Sequence, residues 1–143
     1  MLKLVLGITL MFAQLSGAGS SLPEVLTQEA RPVSPMAVGK KSDVVLSFNL
    51  MKGYAINRTP PMNLKLTAVE GVKLEKSEFS SPAEDPKSKD EYYVDLPSFK
   101  IPVTGTKAGK YEIPGKLVYF FCSKADGFCA RSVLDVKVPV TVQ

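Results

Sequence analysis

The stretch "FFCSKADGFC", residues 120–129, holds both cysteines of this 143-residue chain, Cys122 and Cys129, with six residues between them. A pair of this kind can be a permanent staple, part of a metal clip, or a disulfide that opens and closes by exchange with another thiol. The chain has no histidine. That excludes Ser-His-Asp and Cys-His catalytic sets and any histidine-ligated metal, and two cysteines alone do not close a tetrahedral zinc site. No metal and no cofactor is expected. Acidic residues are scattered, and the Glu84-Asp85 pair falls in a polar loop where it reads as solvated surface, so no hydrolase constellation is present.

Between the cysteines, "SKADGF" turns the chain, with Cys122 ending one strand and Cys129 beginning the next. Asp126-Gly127 is the turn signal, because glycine takes a positive φ without steric cost. A hairpin of this length brings the two sulfurs side by side, and a non-hydrogen-bonded pair, whose Cα atoms are the closer, suits a disulfide best. Such a short loop stabilises by only about 2–3 kcal/mol in the chain-entropy account. Lys124 favours a thiolate nearby and Asp126 opposes it. With no histidine or helix N-terminus beside either sulfur, no strongly activated thiol is expected. Two readings stay open: an exchanging disulfide, and a staple that rigidifies a recognition hairpin carrying Phe120, Phe121 and Phe128.

The elements that must position this hairpin follow from the rest of the chain. Residues 1–18 have a positive start at Lys3, an apolar run from Leu4 to Leu15 and small residues at Ser16, Gly17 and Ala18. This is the pattern of a secretory signal peptide, cleaved near Ala18, with a run too short to cross a bilayer. The product is expected in the periplasm or secreted, where a cysteine pair is oxidised by default. Of 18 Lys and Arg only Lys3 lies in the leader, leaving 17 against 14 Asp and Glu, a net +3. No basic run exceeds Lys40-Lys41, so nucleic-acid binding has no footprint.

Residues 19–39 are rich in Pro and small residues and are expected to run extended with one edge strand. From residue 40 a period of two recurs, in Val44-Leu46-Phe48-Leu50, Leu64-Leu66, Phe99-Ile101-Val103 and Leu134-Val136-Val138-Val140-Val142. "KLVYFFC" (116–122) is apolar on both faces, as in a central strand. "KGYAINRTPP" (52–61) and "SEFSSPAEDPKSKDE" (77–91) read as loops from their Gly, Asn, Pro and polar content. No segment beyond the leader shows a helical period with caps. Seven or eight short strands between Gly/Pro turns predict an all-β, immunoglobulin-like antiparallel sandwich over residues 40–143.

Over most of residues 40–142 the chain resembles the N-terminal periplasmic domain of the thiol:disulfide interchange protein DsbD. The resemblance rests on "GYAIN" (53–57) with prolines following, "FKIPVT" (99–104), and "YFFCSKADGFCARS" (119–132) leading into "VKVPVTV" (136–142). It implies a redox-active disulfide on an immunoglobulin-like domain that takes electrons from a thioredoxin-like domain and passes them to periplasmic oxidoreductases. Carried over, Cys129 forms the mixed disulfide and Cys122 resolves it. The family shields its disulfide with a cap loop, and "DEYY" (90–93) looks like that element, with Tyr92 as the shield beside Asp90 and Glu91. The same residues also fit the strand after such a cap, which would then lie within Phe79 to Lys89, with Tyr92 and Tyr93 as ordinary strand aromatics. This chain departs from the family in having six residues between the cysteines, where the best-known members have five, and in Ala130-Arg131 where they have an aromatic and prolines. The expected partner is a thioredoxin-fold oxidoreductase or a DsbD-like membrane electron donor, so that membrane contact comes only through a partner.

Overall fold

The structure is a computed structural model describing residues 22–143, and the leader expected over residues 1–18 lies outside the described residues. Alternating apolar residues fold the chain into an all-β sandwich of ten strands among the described residues: β1 (Leu26–Gln28), β2 (Lys41–Leu46), β3 (Phe48–Leu50), β4 (Tyr54–Ile56), β5 (Asn63–Leu66), β6 (Val72–Leu74), β7 (Glu78–Ser80), β8 (Phe99–Gly105), β9 (Gly109–Ser123) and β10 (Cys129–Val142). Strands β2, β8 and β6 form one antiparallel sheet, and β10, β9, β5 and β7 form a second in that order. A small β1–β3 sheet completes the body. A single buried cluster joins all three, including Leu46, Ile101 and Val103 from the first, Ile113, Leu117, Val136 and Val138 from the second, and Leu26 and Phe48 from the third.

The long β9–β10 hairpin is the frame of the molecule. Its register runs unbroken from Val142 opposite Gly109 to Cys129 opposite Cys122. A one-residue slip would turn every buried valine of β10 to solvent, so the buried alternation Leu134, Val136, Val138, Val140 and Val142 fixes which residues meet at the far tip. As "KLVYFFC" predicts, β9 is central, with β10 on one edge and β5 and β4 on the other.

Two segments read as loops contain strands. Within "KGYAINRTPP", Tyr54–Ile56 forms β4, pairing Tyr54 with Ser123, Ala55 with Cys122 and Ile56 with Phe121. The chain then bulges through a cis Thr59-Pro60 bond and rejoins the same edge of β9 as β5, with Asn63 opposite Val118. Within the polar 77–91 stretch, Glu78–Ser80 pairs with β5 around the half-buried Phe79. The expected edge strand of the N-terminal segment is β1, and its neighbours Val25 and Met36 are buried in the same core.

Candidate functional site

Cys122 and Cys129 are joined by a disulfide across the last pair of the β9–β10 ladder, with Cα atoms 4.0 Å apart. The amide of Ser123 donates to the Phe128 carbonyl at 2.8 Å, one step nearer the turn. Narrow and wide pairs alternate in an antiparallel ladder, so the cysteines occupy the non-hydrogen-bonded position, where opposed Cα atoms come closest. The turn is built as its residues require. Gly127 has φ 70° and donates its amide to the Ser123 carbonyl at 3.0 Å. The Asp126 amide donates to Ser123 Oγ at 3.2 Å, and Ser123 Oγ donates to the Asp126 carboxylate at 3.4 Å. Asp126 is thereby engaged with the turn. Lys124 donates its amide to the Gly53 carbonyl at 2.9 Å, tying the turn to the start of β4, and its residue is exposed.

The two sulfurs stand in different surroundings. Cys122 is 4% exposed, flanked by Cys129 on one side and the buried Ala55 on the other. Cys129 is exposed. A thiolate arriving from solvent would therefore meet Cys129 before Cys122.

Opposed residues of an antiparallel pair share a face, and successive residues alternate between faces. Cys129, Cys122 and Ala55 thus lie on one face, and Asn57, two residues beyond Ala55, joins them. Its carboxamide Oδ1 lies 3.4 Å from Cys122 Sγ. Asn57 in turn opposes Tyr92 in an antiparallel bridge, with the Arg58 amide donating to the Glu91 carbonyl at 2.9 Å and the Tyr93 amide to the Ile56 carbonyl at 3.0 Å. These are the two bonds that flank a non-hydrogen-bonded pair, so Asn57 and Tyr92 also share the disulfide face. Tyr93 points the other way. It is 9% exposed in the core, and its hydroxyl meets Ser81 Oγ at 2.9 Å and donates to the Pro82 carbonyl. On that core side Phe121 meets Tyr54 and Phe128 edge-on, with ring centroids 5.8 and 6.0 Å apart.

The "DEYY" element is held by its own polar groups. Asp90 Oδ1 accepts the Tyr92 amide at 2.9 Å, an Asx turn that sets the chain for pairing. The Arg58 guanidinium donates to the carbonyls of Asp90 and Ala83, pinning both sides of the loop to the end of β4. Asp85 accepts the amides of Val94 and Lys87 at 2.9 and 3.0 Å, and those bonds hold its carboxyl below the usual range. The Tyr92 hydroxyl is pushed above its ordinary value, first by its hydrogen bond with the Glu91 carboxylate, then by burial and the charges of Glu91 and Asp90. Glu91 thus works on Tyr92, and Asp90 on the backbone.

Sequence reasoning missed Asn57 and Ala55 as neighbours of the Cys122 sulfur, and Arg58 as the residue that pins the loop. The available signal was the alternation Tyr54, Ile56 within "GYAIN", masked by the glycine before it and the prolines after it. Comparisons with family models, curated proteins and solved structures find no match to this chain.

Proposed function

We propose that the protein is an exported thiol-disulfide exchange module of the DsbD N-terminal type, cycling Cys122–Cys129 with a thioredoxin-fold partner or a DsbD-like membrane electron donor. The observation that carries this reading is the asymmetric disulfide at the hairpin tip, with exposed Cys129 and sheltered Cys122. A staple there closes a short loop between strands already paired along their whole length, so it adds only about 2–3 kcal/mol.

In the proposed cycle a partner thiolate attacks Cys129 Sγ. The S–S bond breaks, its electron pair leaves on Cys122 Sγ, and that sulfur takes a proton from solvent. The partner's second thiolate, formed by proton loss to solvent, then attacks the partner's own sulfur in the mixed disulfide. Cys129 leaves with the electron pair and is protonated in turn. Two electrons and two protons have passed to this chain, and the partner dithiol has become a disulfide. The reverse sequence reduces a downstream acceptor. Gly127 and Asp126 shape the turn that presents Cys129, and Phe128, 39% exposed, offers an apolar contact beside it. Lys124, the cationic residue of the turn, favours the departing thiolate. Tyr92, backed by Glu91 and Asp90, acts as the shield on the disulfide face.

The test is the reduction potential of the pair, from glutathione and dithiothreitol equilibration with alkylation as readout. A value between about −180 and −270 mV supports exchange. A value below roughly −300 mV marks a structural bridge and replaces this reading with a non-redox binding sandwich. With the potential in range, Cys122→Ser leaves Cys129 to trap the partner as a stable mixed disulfide.

A further inference from the structure

Asn57 is the polar side chain that touches the sheltered sulfur. Its Oδ1 stands 3.4 Å from Cys122 Sγ, and its side chain has no other hydrogen-bond partner among the described residues. In the disulfide that sulfur carries no proton, so oxygen and sulfur meet without a hydrogen between them. Neither end of the carboxamide is committed elsewhere, and a half-turn about its last torsion exchanges oxygen for NH2 at the same place. The backbone does not share this freedom. The Asn57 amide donates to the Phe120 carbonyl at 2.9 Å, and the two bonds to residues 91 and 93 fix the other edge. The structure therefore presents an amide on a fixed backbone, with neither end of the carboxamide committed elsewhere, against the sulfur of a residue that is 4% exposed.

We infer that Asn57 stabilises the Cys122 thiolate directly as it leaves, which rests on the exchange reading above. When the S–S bond breaks under attack at Cys129, the electron pair arrives on a sulfur with little access to water. A buried thiolate without a donor is disfavoured, which raises its pKa and makes it a poorer leaving group. Turned by half a revolution, the carboxamide gives Nδ2–H to the thiolate. Once solvent has protonated Cys122, turning back lets Oδ1 accept from the thiol. One side chain thus serves both products of the step without an ionisable group, in a chain that has no histidine to do so.

The test uses Cys129→Ser, which leaves Cys122 as the one thiol, and follows its thiolate absorbance through a pH titration. Asn57→Asp keeps the shape, loses the donor and places a charge beside the sulfur. Its expected effect is a rise in the Cys122 pKa of about one to two units. Asn57→Ala removes both donor and acceptor and is expected to raise it by a smaller amount. In the two-cysteine protein both variants are expected to slow reduction by dithiothreitol, about tenfold for Asn57→Asp, since a leaving thiol of higher pKa departs more slowly. A Cys122 pKa unmoved in both variants overturns the inference, whatever happens to stability. The potential of the unmodified pair is a separate readout. A potential in the structural range removes the exchange reading and with it the role in catalysis, even where the pKa has moved. An exchange-range potential with an unmoved pKa removes Asn57 alone.

Discussion

The two faces of the sheet beside the hairpin tip are made from alternate residues of the same strands, and they differ in kind. On the core face Ile56, Phe121 and Tyr93 are buried, Phe121 by ring contacts with Tyr54, Tyr119 and Phe128 and Tyr93 with its hydroxyl on Ser81. On the outer face the buried Cys122 lies beside the half-buried Asn57, which opposes the half-buried Tyr92, and the three are tied to the loop through backbone pairing and an Asx-type bond. Apolar burial on one face fixes the register, and the register places the disulfide and its polar neighbours on the other. Stability and chemistry can therefore be perturbed separately.

The largest effect is expected on the core face. Phe121→Ala removes the ring that Tyr54, Tyr119 and Phe128 pack against, and should cost about 3–5 kcal/mol in denaturant unfolding of the oxidised protein. A loss under about 1 kcal/mol, the ordinary size for a site outside such a cluster, would break the comparison by showing that the tip does not depend on its core. Reducing the disulfide should cost less, about 2–3 kcal/mol for a loop of this length. Oxidised and reduced protein unfolded in parallel supply the number. Should reduction cost more than Phe121→Ala, the bridge is the principal stabiliser of the tip, and the staple reading gains the ground that the exchange reading loses.

The adjacent pair Tyr92 and Tyr93 also shows how far the sequence could be read. Period-two alternation made β2, β8 and β10 visible, the run apolar on both faces made β9 visible, and the Asp126-Gly127 turn with its short loop foretold that the cysteines would face each other. Alternation likewise requires one tyrosine inward and one outward. Which is which depends on pairing with β4, some 35 positions earlier, and β4 was hidden by Gly53, Pro60 and Pro61 around three strand residues. β7 was hidden for a related reason, since Phe79 is its lone apolar residue and one residue has no period. The Asn57 contact depends on the same unseen pairing, and no local pattern around Asn57 could announce a sulfur 65 residues away.

A direct substitution of each tyrosine sharpens the contrast. Tyr93→Phe leaves the ring in the core but takes the hydroxyl from Ser81 and Pro82, and about 1–2 kcal/mol of stability should go with it. Tyr92→Ala should change stability by less than about 1 kcal/mol, while making reduction of the disulfide by dithiothreitol several-fold faster. Stopped-flow reduction and denaturant melts on the same samples separate the two effects. Unchanged reduction kinetics in Tyr92→Ala would remove it as the shield and return it to the rank of an ordinary strand aromatic.

The smallest effect concerns how the outer face is kept in place. Asp85 accepts the amides of Val94 and Lys87, and both bonds favour the carboxylate, so its folded-state pKa lies below the 3.8 of a free aspartate. The folded form then binds its proton less readily than the unfolded form does. Its stabilising contribution is complete above pH 3.8 and is lost as the pH falls through the lower folded value. Asp85 is only half-buried at the surface, so global stability should scarcely register the change, but the local bonds should. The amide signal of Val94 is expected to titrate with an apparent pKa below 3.8, and its protection from exchange should fall over the same window. Asp85→Asn should abolish the titration. Were the Val94 amide to ignore acid while the fold persisted, backbone pairing at Asn57 and Arg58 would suffice to hold the loop, and the outer face would owe its order to the strand ladder alone.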